Sequence, residues 1–431
     1  MDTNKHESVD MKKLLDGVEV EWKALGEIGE LVRGNGLPKT DFTEFGVPAI
    51  HYGQIYTYYG LSTTTTKSFV SQETAEKLRK VNYGDVVITN TSENLEDVGK
   101  ALVYFGEEQA VFGGHATVFK PFDLIIGKYL AYFTQTKTFA AAKRQYSKGT
   151  KVIDVSATDL AKIQIPIPPL SIQKEIVRIL DTFTELTTEL TTELTNRNKQ
   201  YNHYRDQLLS FEDGDVEWKT LGETGEFIRG KRFTKADYVD EGVDVIHYGE
   251  IYTHYGVFAS CAISQVRPEM ASSLRYAEPG DVVMAGVGET VEDVGKAVAW
   301  LGQGKVAIHD DSYAFRHSMN PKFLSYYMQT AKFIAEKEKH VSLGKMKRLL
   351  INGVSQVRIP IPHPESPEKS LAEQARIVAI LDKFDTLTHS ISEGLPREIE
   401  LRQKQYEYYR NLLLSFPKPE EGTTKSTKST N

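Results

Sequence analysis

Ser171–Phe211 reads SIQKEIVRILDTFTELTTELTTELTNRNKQYNHYRDQLLSF. Within it Ile172, Ile176, Ile179, Phe183, Leu186 and Leu190 recur at alternating steps of four and three. That is an apolar seam of heptad period, which needs a partner helix to cover it. Leu194, Tyr201, Tyr204, Leu208 and Phe211 continue the seam after an extra four-residue step at Leu190–Leu194, a spacing that locally unwinds a supercoil. At the α-helical rise, about forty residues span roughly 60 Å. The stretch therefore predicts a spacer rather than a piece of a compact domain.

What flanks the spacer is one sequence written twice. Glu21-Trp22-Lys23-Ala24-Leu25-Gly26-Glu27 returns 196 residues later as Glu217-Trp218-Lys219-Thr220-Leu221-Gly222-Glu223. At the same offset His51-Tyr52-Gly53-Gln54-Ile55-Tyr56-Thr57 returns as His247-Tyr248-Gly249-Glu250-Ile251-Tyr252-Thr253, and Glu96-Asp97-Val98-Gly99-Lys100-Ala101 as Glu292-Asp293-Val294-Gly295-Lys296-Ala297. Ile165-Pro166-Ile167-Pro168 matches Ile359-Pro360-Ile361-Pro362. Ile176-Val177-Arg178-Ile179-Leu180-Asp181 matches Ile377-Val378-Ala379-Ile380-Leu381-Asp382, and Tyr204–Phe211 matches Tyr409–Phe416. A period of about two hundred residues is far longer than a solenoid repeat, so the unit is a duplicated domain with its following helix.

Glycine-bounded runs such as Val86-Val87-Ile88-Thr89 and Ala101-Leu102-Val103-Tyr104-Phe105 read as strands. Lys128–Arg144 and Pro321–His340 read as helical, and each Ile-Pro-Ile-Pro forces an extended segment before the long helix. The expected organisation is an N-terminal segment 1–20, a first α/β domain 21–170, a spacer helix 171–211, a second α/β domain 212–370 and a second spacer helix 371–416. Gly394-Leu395-Pro396 should break that second helix, and the polar tail 417–431 should be disordered. Seams on both helices favour an antiparallel, coiled-coil-like pair with the α/β domains at opposite ends, related by a pseudo-two-fold axis. Two tandem domains joined by an unpacked helical linker is the plainer alternative.

Composition bounds the function. Of 431 residues 40% are hydrophobic and 26% charged, a globular balance. The apolar runs are too short to span a membrane, and MDTNKHESVD has no signal core, so a cytoplasmic location without membrane attachment is expected. A single cysteine, Cys261, rules out an internal disulfide and multi-cysteine metal sites. The net charge of −7 argues only mildly against nucleic acid, because phosphates respond to local patches.

No catalytic constellation emerges. There is no G-x-x-x-x-G-K-[ST], no glycine fingerprint after a strand, no H-E-x-x-H and no G-x-S-x-G. Glu96, Asp97 and Lys100, with Glu292, Asp293 and Lys296, are the best nuclease-like set, since such an enzyme needs carboxylates around a divalent ion with a lysine near the phosphate. An Asp–Val–Gly–Lys turn between strands explains them more simply. His51 and His247 are lone histidines, more often structural than metal-binding.

Basic and aromatic residues recur at matching places. Residues 137–151 hold Lys143, Arg144, Tyr146, Lys148 and Lys151 without an acid, and 332–348 end on Lys345, Lys347 and Arg348. Arg33 and Lys39 correspond to Arg229, Lys231, Arg232 and Lys235. Tyr56, Tyr58 and Tyr59, with Tyr252, His254 and Tyr255, supply flat polar side chains. This mix suits duplex DNA, with cations positioning the protein and neutral polar groups reading base edges. Framework blocks match between the copies while certain loops do not: Asn90 and His115 lie in loops that differ from their counterparts, and His309 lies in one such counterpart. One scaffold carrying two loop sets is what reading two different half-sites requires.

These features together resemble the specificity (S) subunit of type I restriction–modification enzymes, over about Glu21 to Phe416. The features that carry it are the E-W-K-x-L-G-E openings, the H-Y-G-x-I-Y-T segments and the P-x-P before each long helix. Gln173-Lys174-Glu175-Ile176-Val177 and Gln374-Ala375-Arg376-Ile377-Val378 resemble the family's E-Q-x-x-I; Glu373 keeps its acid and Ile172 does not. The resemblance implies that each α/β domain is a target recognition domain for one half of a split DNA sequence. It implies helices that set the gap and dock two modification subunits, which bind S-adenosylmethionine and methylate adenine. Restriction subunits with ATP and Mg²⁺ complete the implied complex, and this chain would hold no cofactor or metal. A self-contained metal-dependent nuclease and a helical scaffold that does not read DNA are the other two readings.

Overall fold

The computed structural model describes residues 13–212, 214, 216–342, 344–389 and 394–418. It divides into two compact units, Met1–Thr188 with Leu401–Asn431 and Glu189–Glu400. The start of the expected N-terminal segment and the tail beyond residue 418 lie outside the described residues.

In the first unit, one five-stranded sheet has the order Gly29–Arg33, Ala116–Pro121, Val86–Thr89, Ala101–Tyr104, Ser62–Thr63. The second has the order Phe42–Thr43, Ser68–Val70, Val47–Ile50, Ala110–Phe112, Arg79–Val81. The runs Val86–Thr89 and Ala101–Tyr104 are buried at every position, as expected where both faces of a sheet are covered. Alternation along a strand sends neighbours to opposite faces. Val86, Ile88, Val103 and Phe119 therefore join the core under the helix Gly127–Phe133. Val87, Leu102 and Val118 join Ile50, Ile55 and Phe112 on the other face.

The second unit repeats both sheet orders, from Gly225–Arg229 through Ser312–His317, Val282–Ala285 and Ala297–Trp300 to Phe258–Ala259, and from Tyr238–Val239 to Tyr276–Ala277. It departs in its minor elements: the α-helix Gln72–Lys77 is replaced by a short 3-10 turn, Pro268–Met270, and the small sheet differs in length. The first unit pairs Thr91–Ser92 with Ile153–Asp154, and Asp154 bridges Lys148 on its other side; the second pairs Val287–Gly288 with Lys347–Leu349, whose other side pairs with the two residues Val341–Ser342.

The duplicated motifs turn out to be one another's partners. Glu21–Ala24 lies antiparallel to Gln164–Ile167, with Trp22 opposite Pro166, and Val216–Thr220 pairs with Arg358–Pro362 in the same way. Each sheet is two-stranded, so proline, which lacks an N–H, costs only an edge bond.

The long helix runs unbroken over Leu170–Leu208. Its start is fixed by Gln173, fully buried, whose Oε1 accepts from Ile126 N at 2.9 Å while Nε2 donates to the carbonyls of Leu124 and Pro168 at 3.0 and 2.8 Å. Gln374 accepts from Asn320 N at 2.8 Å and donates to Ser370 Oγ. Two turns on, Asp181 accepts from Tyr132 OH at 2.6 Å and pairs with Lys128 at 2.7 Å, and Asp382 does the same with Tyr326 and Lys322. Burial beside that carboxylate pushes both tyrosine hydroxyls well above their ordinary range.

The seam is covered within each unit. In the first, Ile176 and Leu180 share a core with Leu413 and Leu414, and Phe183 stacks on Tyr409 at 5.1 Å and 22°. In the second, Tyr204 stacks on Phe384 at 5.6 Å and 25°. Phe183 and Phe384 are repeat counterparts, as are Tyr204 and Tyr409. Each unit thus pairs the start of its own helix, antiparallel, with the end of the other repeat's helix. The helices Pro367–His389 and Gly394–Leu413 are separate elements. The intervening residues 390–393 are outside the described set, and Gly394 takes φ +73°, a conformation that favours glycine.

Candidate nucleic-acid interface

Each unit carries an aromatic step at the end of the strand that leads into the H-Y-G segment. His51 caps the helix Tyr52–Thr57 by accepting from Gly53 N at 3.2 Å, and His247 caps Tyr248–Thr253 at 3.1 Å. The histidines are therefore structural. Burial, reinforced by His309, pushes His247 down to about 4, and burial with nearby Lys39 lowers His51. Both rings are neutral at neutral pH.

On this step lie the rings the sequence singles out. Tyr52 touches His51, His115 and Tyr56 at ring distances of 4.7, 4.8 and 6.3 Å. Tyr248 touches His247, His309 and Tyr252 at 4.1, 5.4 and 6.4 Å. His115 is exposed, with Nδ1 at 2.7 Å from Thr91 Oγ1. A buried His309 instead accepts from Asp311 N at 3.2 Å and faces the Phe233 carbonyl at 3.2 Å. Its donor atoms, together with Asp310 and Asp311, lie within 4.8 Å of one another. Both ring nitrogens are engaged by the backbone and Asp311 is paired with Arg348, so the set does not present ligands to an ion.

The cations divide into two groups. Arg33 donates to the Gly114 carbonyl at 3.1 Å and pairs with Asp154 at 3.3 Å, while Arg229 donates to the Asp310 carbonyl at 2.8 Å. Lys39, Arg144, Lys151, Lys231, Arg232, Lys235 and Lys345 are exposed, Tyr146 and Lys347 are half-buried, and exposed Lys148 pairs with Asp159 at 3.2 Å. Arg144 also lines, with Tyr56, Tyr59, Lys100 and Arg410, a groove of about 560 Å³ in the first unit. Tyr58 and His254 are exposed; Tyr59 and Tyr255 accept from the Lys67 and Ile263 amides at 2.7 and 3.0 Å, holding the next loop.

Four expected contacts are corrected: His309 and Tyr255, buried with their polar atoms held by the backbone, and Lys143 and Asn90. Lys143 is buried, and its ammonium donates to the Glu96 carbonyl at 3.2 Å and to that of Val98. Lys337 repeats this on Glu292 and Val294. Burial pushes both lysines down to about 8. Each ties down the turn of its own unit, Lys143 that of Glu96–Lys100, in which Lys100 pairs with Asp97 at 2.7 Å and Gly99 takes φ +76°. Asn90 is likewise fully buried, donating to the Val155 carbonyl and accepting from Thr117 at 2.8 Å. Replacing Lys143 with methionine should therefore lower first-unit stability by about 2 kcal/mol, the penalty of unmet buried acceptors. The slope of log DNA affinity against log salt should stay unchanged. A shallower slope at unaltered stability would put that ammonium on DNA.

Sequence reasoning passed over Tyr52 and Tyr248, although they stand in the H-Y-G motif itself. It also passed over the acids Asp154 and Asp311, which orient arginines distant in the chain.

The family model described as type I restriction modification DNA specificity domain matches residues 17–199 and 214–401, one copy per repeat. The chain belongs to this family of specificity subunits. The EcoR124I/EcoR124II specificity subunit of Escherichia coli is 34% identical over 445 residues, covering 95% of this chain and 98% of that protein. A type I restriction enzyme specificity subunit of Haemophilus influenzae, S.HindORF215P, whose assignment is provisional, is 33% identical, covering 94% and 98%. Among solved structures, an S subunit from M. genitalium aligns with a TM-score of 0.51 at 15% identity, covering 94% of this chain and 98% of that one. A chain from a study of type I R-M complex assembly aligns at 0.59 and 16%, covering 92% and 97%. These two likenesses speak for the fold. As a specificity subunit the chain recognises DNA and is itself non-catalytic, which sets aside the nuclease and scaffold readings. Among the described residues no helix is long and apolar enough to cross a membrane.

Proposed function

We propose that each unit reads one half of a split duplex target through its aromatic step and the cations around it. The long helices set the gap between the halves. In the cytoplasm the subunit works with two methyltransferase subunits, which bring S-adenosylmethionine and modify adenine, and with restriction subunits that bring ATP and Mg²⁺. The observation that supports this most is one scaffold built twice with different side chains at equivalent rim positions. His115 stands where the second unit has Asp311, and Asp154 where it has Arg348.

Co-expression with the cognate methyltransferase, followed by sequencing of the modified DNA, should return a two-part adenine-methylation motif with a fixed gap. Exchanging residues 217–355 for another such domain should replace one half of that motif and leave the other intact. A continuous motif, or none, would sink the reading.

A further inference from the structure

The two units share a frame, so whatever makes them read different bases must lie where the frame carries different side chains. One such place is the strand opposite Thr91 in the first unit and Val287 in the second. The register sets Asp154 against Thr91 and Arg348 against Val287. The charge at this position is thus inverted between the units, and so is that of its partner. Asp154 is held by Arg33 at 3.3 Å, and Arg348 by Asp311 Oδ1 at 3.1 Å. Arg33 itself is not the variable element, because its counterpart Arg229 keeps the same bond to the carbonyl of residue 310 that Arg33 makes to 114.

Resting on the reading of the second unit as a DNA-contacting domain, we propose that Arg348, oriented by Asp311, reads a guanine in the second half-site. The backbone of Arg348 is fixed from both sides, opposite Val287 on one strand and Ser342 on the other. One guanidinium nitrogen, Nη1, is aimed by Asp311, and the guanidinium makes no other hydrogen bond among the described residues. The Arg348 side chain is 51% exposed and Asp311 24%. A carboxylate beside the guanidinium removes most of its net attraction for a phosphate, which responds to charge. It leaves the directional donors in place, and a fixed fork of donors matches the O6 and N7 acceptors of guanine. Exposed Lys345 and half-buried Lys347, on the same hairpin, supply unneutralised charge for the backbone. Asp311 is a positioning residue in this scheme: it acts on the base only through Arg348.

The test is methylation mapping of the intact subunit with its methyltransferase partner, for wild type, Arg348→Ala, Arg348→Lys, Arg348→Gln, Asp311→Ala and the double alanine variant. The wild-type second half-site should contain a guanine that Arg348→Ala relaxes to any base, with discrimination falling on the order of ten- to a hundredfold. Lysine, a point charge without the fork, should not restore it, and glutamine should move the preference toward adenine. Asp311→Ala should relax that same position, and the double variant should go no further than Arg348→Ala. A second half-site without guanine would overturn the proposal. So would an unaltered motif methylated more weakly at every sequence, or an Asp311→Ala effect at a different base. The first half-site should be unchanged in all variants, which shows that each is folded and reading DNA. Loss of any two-part motif in the wild type would instead fail the recognition reading itself.

Discussion

Gln173→Leu should cost the first unit about 2–4 kcal/mol, since it leaves the buried Pro168 carbonyl and the half-buried Ile126 amide and Leu124 carbonyl without partners, at up to about 1–3 kcal/mol each with water meeting part of the loss. For a unit of this size that is roughly a 10 °C fall in melting temperature, readable by calorimetry. The side chain is fully buried and bonds to Ile126, Leu124 and Pro168, so leucine fills the volume and supplies none of the bonds. Gln374→Leu should do less harm, about 1–2 kcal/mol, because only one of its two bonds reaches a backbone group, the Asn320 amide; the other goes to the Ser370 hydroxyl. Equal losses at the two positions would refute this accounting.

Inserting Thr-Thr-Glu-Leu after Leu190 should change the DNA target outright. The site already carries Thr187-Thr188-Glu189-Leu190 followed by Thr191-Thr192-Glu193-Leu194, so a third copy keeps the local pattern. Thr187 and Thr195 each return a hydroxyl bond to the carbonyl four residues back, at 2.8 and 2.9 Å, which an inserted copy can reproduce. Four residues add roughly 6 Å and a little more than one turn, or one to two base pairs at about 3.4 Å each. Methylation mapping should show both half-sites unaltered, the original gap lost and a longer gap in its place. An unaltered gap would remove the helix from the role of spacer.

The duplication, the central strands and the seam were all legible, because each is a local pattern of apolar spacing or direct repetition. What could not be read was pairing across the chain. The E-W-K and I-P-I-P blocks were recognised separately, yet nothing local says that Trp22 lies against Pro166. The E-Q-x-x-I block was a family signature until Gln173 was seen satisfying three backbone groups. At the interface, residue types were legible and burial was not. Lys143 looks like any lysine at a helix end until carbonyls from residues 96 and 98 close over it. His115 and His309 looked alike, and one is exposed while the other is enclosed. Such differences are set by segments dozens of residues away, which no window of sequence contains.

The first unit joins two stretches far apart in the chain, residues up to 188 and those from 401 on. Trp22 bonds the Pro417 carbonyl, Gln135 accepts from Tyr406, and Leu413 and Leu414 complete the core around Ile176 and Leu180. On the ribosome, the domain made first is therefore the one finished last. At about 5–20 residues per second, its helix start waits roughly 10 to 45 seconds for the final segment, while the contiguous second unit can close beforehand. During that interval only the part of Ile176, Leu180 and Phe183 that meets Tyr409, Leu413 and Leu414 stays uncovered on the nascent chain, an apolar edge open to chaperones or to the same edge on a neighbouring chain.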